Sequence, residues 1–411
     1  MTENEIRHFL FTNYQDTFSS LIVGKKEKVC WNDKNNCPSL SFIAQEITET
    51  KIEQLVNELD TLELKKEEYA LKRDNENDIR ADLVGQSIDG NYPIAIIELK
   101  KSDQTARQAF TELLAYNNYF CRKYPPLQQK QVLSILISPA DKRTILDAYI
   151  QELLFNDNPI LLLEPEDPTF ESSQKLKIIY PNEDTYKIFD NALLNNDMFT
   201  SIIFSLPNIS GWLDNNETKD NKPNSYTKKA MNTISNSIAL ELEKYNLHSI
   251  VYSTSVYQEL DEIFPYPHSI IVAVINPFQL QQYVDDGYQN LSEDFREIAE
   301  SNFWGYLFKV ITPIFEFLTN HIDYEVNMPY WGSFKENPLS SGFVHYYNGY
   351  VTGILRSLYI KHMIISKELG FDLALGTDDI FTYPFDCFNM SRRLINIFDG
   401  LSTQNQLDID Y

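Results

Sequence analysis

The sequence predicts an α/β fold with a mixed sheet flanked by helices, followed by a largely helical second part. Three observations predict it. Two apolar segments, 78–88 and 92–100, are joined by Asp89-Gly90-Asn91, which is hairpin chemistry with a glycine available for positive φ. A helical pattern and then a wholly apolar run, "QVLSILIS", come next, which is the order of a crossover into a parallel strand. Around residues 214–230 a polar, Asn-rich stretch, "DNNETKDNKPNSYTKK", reads as a linker or long exposed loop. The domain change therefore falls between 180 and 228.

The elements follow in order. Residues 1–37 read as an N-terminal extension with no assigned structure. A helix is predicted over 39–59, because Phe42, Ile43, Ile47, Ile52, Leu55, Val56 and Leu59 recur at helical spacing and Ser39 or Ser41 can cap it. "EEYALKR" reads as a short strand, and the two hairpin strands follow. A helix over about 105–124 ends at "YPP". After "QVLSILIS", Asp141 opens a helix, "DKRTILDAYIQELLF", and "PILLLEP" is a fifth strand. The first domain thus spans 38–180. In 181–411, "HSIIVAVIN" reads as a strand, while "SEDFREIAESNFWGYLFKVITPIFEFLTNHI" and "GFVHYYNGYVTGILRSLYIKHMIISKEL" read as helices, so this part is expected to be mainly helical.

Composition sets bounds. The chain has 411 residues, 43% of them hydrophobic, with 25 Tyr and 25 Phe, which is globular and not disordered. No apolar run is long enough for a membrane span, and the acidic N-terminus does not read as a signal peptide. Four cysteines, with Cys30 and Cys37 lacking a second ligand pair, point to a reduced cytoplasmic protein and not to zinc or a disulfide framework. The six histidines show no metal-binding spacing, and no phosphate-cradling glycine loop occurs. Net charge is −24, which argues against broad nucleic-acid binding. The acid is uneven: 181–411 hold 14 basic and 30 acidic residues, whereas 100–143 hold eight basic and three acidic ones.

The hairpin carries the chemistry. With a three-residue loop, Ile88 pairs with Tyr92, and Asp82 falls opposite Glu98 with Cβ atoms about 5 Å apart. Lys100, two residues on, points to the same face. Opposed carboxylates repel, and a divalent cation between them removes the conflict. A two-residue loop would shift the register by one and turn Asp82 away.

Asp82, the hairpin and Glu98-Leu99-Lys100, in the order helix, three strands, helix, strand, resemble the PD-(D/E)XK nuclease superfamily, the restriction-endonuclease-like fold. Its Glu-x-x-x-Tyr motif has a counterpart in "ELLAY", with Glu112 and Tyr116 on the following helix. Ala81 stands where the superfamily name has Pro. The resemblance implies that Asp82, Glu98 and the Leu99 carbonyl bind Mg²⁺ (or Mn²⁺) and that Lys100 serves the attacking water. It implies support from Glu112, Tyr116 and, on the first helix, Glu46. Lys101, Arg107, Arg122 and Lys123 are candidate phosphate contacts. The implied activity is a metal-dependent phosphodiesterase, a DNA endonuclease of restriction or antiphage-defence type ahead of an enzyme acting on RNA. The implied assembly is a homodimer or larger, with the acidic 181–411 part a specificity, sensing or assembly module open to a partner protein. The alternative is a non-catalytic scaffold on the same fold. Each residue also has a plainer role: Asp82 and Lys100 as polar strand ends, Glu112 and Tyr116 as a helix face, Glu46 and the basic residues as solvated surface.

Overall fold

The computed structural model describes residues 1–31, 39–72, 79–88, 90–101, 103–125, 127–140, 143–192, 199–206, 225–256, 268–276, 302–303, 305–314, 325–327, 343–368 and 385–386. The chain divides into two units, Met1–Cys30 with Gln45–Thr185, and Trp31–Ala44 with Tyr186–Tyr411.

The first unit is α/β, with a seven-stranded mixed sheet flanked by helices. Its elements are α1 (Glu3–Asn13), β1 (Ile22–Val23), α2 (Leu40–Glu58, entering from the other unit), β2 (Leu62–Leu71), β3 (Ile79–Ser87), β4 (Ile94–Leu99), α3 (Asp103–Lys123), β5 (Val132–Ile137), α4 (Arg143–Ile150), β6 (Ile160–Pro165) and β7 (Leu176–Ile178). The sheet order is β1-β7-β6-β5-β4-β3-β2. The antiparallel pairs β2–β3 and β3–β4 lead into the parallel pairs β4–β5 and β5–β6, whose crossovers are α3 and α4. Every residue of β5 is buried, as a central parallel strand with both faces covered requires. Its one hydroxyl, Ser134, accepts from buried Asn117 Nδ2 on α3 at 3.2 Å.

The N-terminal stretch is no appendage. Thr2 and Glu5 form a capping box that starts α1. Ile6, Leu10, Phe18 and Leu21 are buried in the same core as the sheet, and β1 pairs in parallel with β7. In the hairpin loop the glycine, Gly90, is closely surrounded. It is there for room. A Cβ at Gly90 would collide with Ser87 Oγ and with the Glu58 carboxylate, which accepts the Asn91 N–H at 2.8 Å.

The second unit adds strands to the helices expected of 181–411, where the sequence pattern gives one, "HSIIVAVIN". It holds a six-stranded antiparallel sheet, ordered β11-β8-β10-β9-β12-β13. The strands are β8 (Phe199–Ser205), β9 (Ser249–Val256), β10 (His268–Ile275), β11 (Glu325–Asn327), β12 (Phe343–Val351) and β13 (Phe385–Asp386). The helices α5 (Glu183–Ala192), α6 (Ser225–Lys244), α7 (residues 305–314) and α8 (Gly353–Glu368) accompany them. Met231, Ile234, Ile238 and Leu242 of α6 pack with Ile202, Val251, Val272 and Val274 of the sheet. The aromatic "FVHYYNGYV", read as helix, is strand β12, in keeping with the β-propensity of Phe, Tyr and Val. Gly353, at φ +60°, turns the chain from that strand into α8. The end of the stretch read as a linker, from Ser225, is already α6, and 207–224 lie outside the described residues. Among the described residues no helix is long and apolar enough to cross a membrane.

Leu10→Ala tests whether α1 belongs to the core. A buried leucine truncated to alanine should cost about 2–5 kcal/mol in urea unfolding. An appendage would give a change within about 0.5 kcal/mol.

Candidate functional site

The β3–β4 ladder runs Gly85↔Ala95, Val84↔Ile96, Leu83↔Ile97. This is the register of the three-residue loop, and it brings the next positions, Asp82 and Glu98, face to face. Asp82 is 9% exposed and Glu98 2%. Asp82 Oδ2 accepts the Leu99 backbone N–H at 2.9 Å, and Oδ1 accepts from Arg7 at 3.1 Å. Lys100 Nζ donates to Glu98 Oε1 at 2.6 Å and lies 2.7 Å from Glu112 Oε2. The Lys100 backbone N–H donates to Ile137 O at 2.8 Å, so the parallel ladder holds the lysine in place.

The electrostatics follow from burial. Two buried carboxylates (Asp82, Glu98) and a half-exposed one (Glu112) face two largely buried cations (Lys100, Arg7). Burial, and then the Asp82 charge, push the Glu98 carboxyl up to about 9, although Lys100 pulls the other way. For Lys100, burial opposes the ammonium, but Glu98 and Glu112 together hold its pKa above the ordinary lysine range. Tyr116 is raised by burial and then by Glu98, Glu112 and Asp82, so its hydroxyl stays protonated.

The remaining predicted residues fall into three groups. Glu112 joins the cluster through Lys100, and Tyr116 is buried beside it, donating its hydroxyl to the Arg80 carbonyl at 2.8 Å, which ties α3 to β3 just before Asp82. Glu46 is buried on α2, pairs with Lys28 at 3.8 Å and lines another cleft with Lys26, Glu49 and Tyr180. Lys101 is bound to the N-terminal segment, with Nζ donating to Met1 O at 2.7 Å and its N–H directed at Glu3 at 3.4 Å. Arg122 and Lys123 are exposed at the end of α3. The Arg107 side chain lies outside the described residues.

Arg7 is the residue the sequence reading missed. Its guanidinium bridges Asp82 and Glu68, and Glu68 sits in left-handed backbone at φ +47° beside the Asp82 position of the sheet. The helix that carries Arg7 also closes the C-terminal ends of the parallel strands. Glu3 and Ile6 line a small cavity there with Lys100, Ile137, Pro165 and Phe170. That end of the strands is where open α/β sheets bind ligands. The capping box Thr2-x-x-Glu5 and the Ile6/Leu10 spacing were the available signal.

The residues fit a hard divalent cation. Glu98 Oε2 is buried and has no hydrogen-bond partner among the described residues. Among the described residues no group of three or more His, Cys, Asp or Glu is gathered as a metal cluster. The pair Asp82 and Glu98 supplies the one or two carboxylates with which Mg²⁺ is ordinarily held. No family model, curated protein or solved structure matches the chain.

The raised Glu98 pKa sets a pH dependence. The native state keeps a proton that the unfolded chain releases near pH 4.5, so between there and about pH 9 the native state binds more protons and loses stability as pH rises. Glu98→Gln, neutral at every pH, should flatten that decline. Urea midpoints in EDTA at pH 6 and pH 9 measure it, and parallel declines in both proteins would rule out a buried neutral Glu98.

Proposed function

We propose that the first unit is a metal-dependent phosphodiesterase of the PD-(D/E)XK type, acting on nucleic acid, DNA ahead of RNA. One observation carries the reading: two buried carboxylates opposed across a hairpin, with a buried lysine bonded to one of them. Opposed buried carboxylates are destabilising in a merely structural site. The seven-stranded mixed sheet with the helix–three strands–helix–strand order supports it.

Asp82 and Glu98, with the Leu99 carbonyl, would hold Mg²⁺ or Mn²⁺. When bound, such an ion supplies Lewis-acid polarisation of the phosphoryl oxygen and an acidified water. Lys100 presents its ammonium at the same place, where it orients a water and balances charge developing on a phosphate. Glu112 holds that ammonium by its second contact, and Tyr116 fixes the height of α3 over β3. The second unit, with its acidic composition, is assigned a specificity, sensing or assembly role. Cutting both strands of a duplex requires two such sites, hence a dimer or larger assembly, which suits a restriction or antiphage nuclease.

Arg7 favours a second reading, a scaffold with a permanently closed site, because its guanidinium already neutralises Asp82 through Oδ1. The two readings separate in a cleavage assay. On plasmid and single-stranded substrates with Mg²⁺ or Mn²⁺, Asp82→Ala and Lys100→Ala should each lower cleavage by about 10²–10⁴-fold. Cleavage that survives both removes the site assignment, and cleavage absent in every protein and substrate supports the scaffold.

Arg7→Ala removes the competing cation. It should lower the Mg²⁺ concentration needed for half-maximal cleavage about tenfold, as expected for loss of a charged hydrogen bond to Asp82. An unchanged Mg²⁺ requirement would show that Arg7 and the metal do not compete.

A further inference from the structure

Beyond the carboxylates, the end of α3 and the neighbouring strand β2 carry an aromatic and basic surface. Phe120, 3% exposed, is its anchor. Tyr69 of β2 stacks on it with ring centroids 5.8 Å apart, and Tyr119 meets it edge-on at 5.5 Å. Lys123 Nζ lies 5.5–5.6 Å from the rings of Tyr69, Tyr119 and Tyr124, and donates to the Tyr69 hydroxyl at 2.9 Å. Lys66 Nζ sits 5.4 Å from the Tyr69 ring. Tyr124 is 50% exposed, the most open aromatic ring of this unit among the described residues.

Two features distinguish this surface from an ordinary solvated helix end. In a chain of net charge −24, Lys66, Arg122 and Lys123 have no carboxylate partner among the described residues. Tyr69 and Tyr119 are also fixed in advance by contact with a buried phenylalanine, and Tyr69 by a hydrogen bond, so this side of the surface loses little side-chain freedom when a flat ligand lands on it. The Tyr69 hydrogen bond raises the Lys123 pKa above the ordinary lysine range. The surface adjoins the carboxylates: Tyr69 pairs with Ala81, next to Asp82, and Tyr116, two helical turns before Lys123, bonds Arg80 on the same strand.

We propose that Tyr124 and Tyr119, with Lys66, Arg122 and Lys123, form a stacking platform that holds an unpaired stretch of nucleic acid leading to Asp82, Glu98 and Lys100. This rests on the phosphodiesterase reading for its direction and names the substrate class: a single-stranded or frayed segment. Tyrosine faces accept any base, and lone cations track the phosphates, which is the chemistry of single-strand binding and not of groove readout. Paired bases in a duplex hide their faces from such rings.

The test is binding by the full chain in EDTA, read by fluorescence anisotropy, so that no cleavage intervenes. Labelled oligothymidylate, oligouridylate, a duplex and an abasic strand are compared. The single strands should bind more tightly than the duplex and the abasic strand, with the thymidylate and uridylate arms reporting DNA or RNA. Tyr124→Leu should weaken single-strand binding about tenfold, and Tyr124→Phe should retain it. Lys123→Ala should reduce the slope of log K against log salt by about 0.7. A circular dichroism melt checks that each variant folds. Tyr124→Leu binding like wild type, equal binding of the abasic strand, or no binding of any oligonucleotide would overturn the platform. Asp82→Ala separates the two proposals: binding kept and cleavage lost supports both, and binding kept in a protein that never cleaves leaves the platform standing while the hydrolytic reading falls.

Discussion

The cost of burying carboxylates organises this protein's first unit. Asp82 and Glu98 stand opposite each other at the rim of a core whose strands are otherwise aliphatic, and water reaches neither freely. Everything near them compensates. The Leu99 N–H and Arg7 satisfy Asp82, Lys100 satisfies one oxygen of Glu98, and Glu112 balances Lys100 in turn. Lys100 does not offset the rest: burial, and then the Asp82 charge, hold a proton on Glu98 well above the usual carboxylate range. A retained proton and a bound divalent cation are alternative answers to the same imbalance, and that equivalence connects the stability of the fold to the chemistry proposed for it.

The same constraint explains the N-terminal helix. Without α1 the C-terminal ends of β4 and β5 would open directly to solvent, and Asp82 Oδ1 would lack its cation. With α1 in place, Ile6 and Leu10 extend the aliphatic core while Arg7, between them, reaches the acid. One helix thus carries two functions on adjacent faces, packing and charge balance. The left-handed backbone at Glu68 belongs to this arrangement, since Glu68 shares the Arg7 guanidinium with Asp82. Strain of that kind persists where surrounding contacts over-determine it.

The hairpin was the most legible part of the sequence. A side-chain period of two, with one loop length, decides which residues face each other, so Asp82 opposite Glu98 could be derived by counting. Lys100 followed from the same counting, and Glu112 from the resemblance of "ELLAY" to the superfamily's Glu-x-x-x-Tyr motif. The second unit was far less legible. Short strands such as "FTSIIFS" and "SIVYSTSV" carry little periodicity, and each has a partner far along the chain, β10 for the first and β12 for the second, so little that is local marks them as a sheet. The aromatic run of β12 merges with the helix after it, and only Gly353 marks the change.

What the amino-acid order determined by itself was therefore local and periodic: the helices of the first unit after α1, the central apolar strands, the hairpin register, and the opposition of two carboxylates with a lysine beside them. Tertiary structure decided what those charges meet. That Arg7, some 75 residues before Asp82, is its ion-pair partner, that Glu46 lies in another cleft, and that Lys123 stands among three tyrosines are outcomes of packing between distant segments. The physical reason is range. Backbone sterics and side-chain period act over a few residues and can be read along the chain, whereas burial and charge compensation depend on which segments share a core.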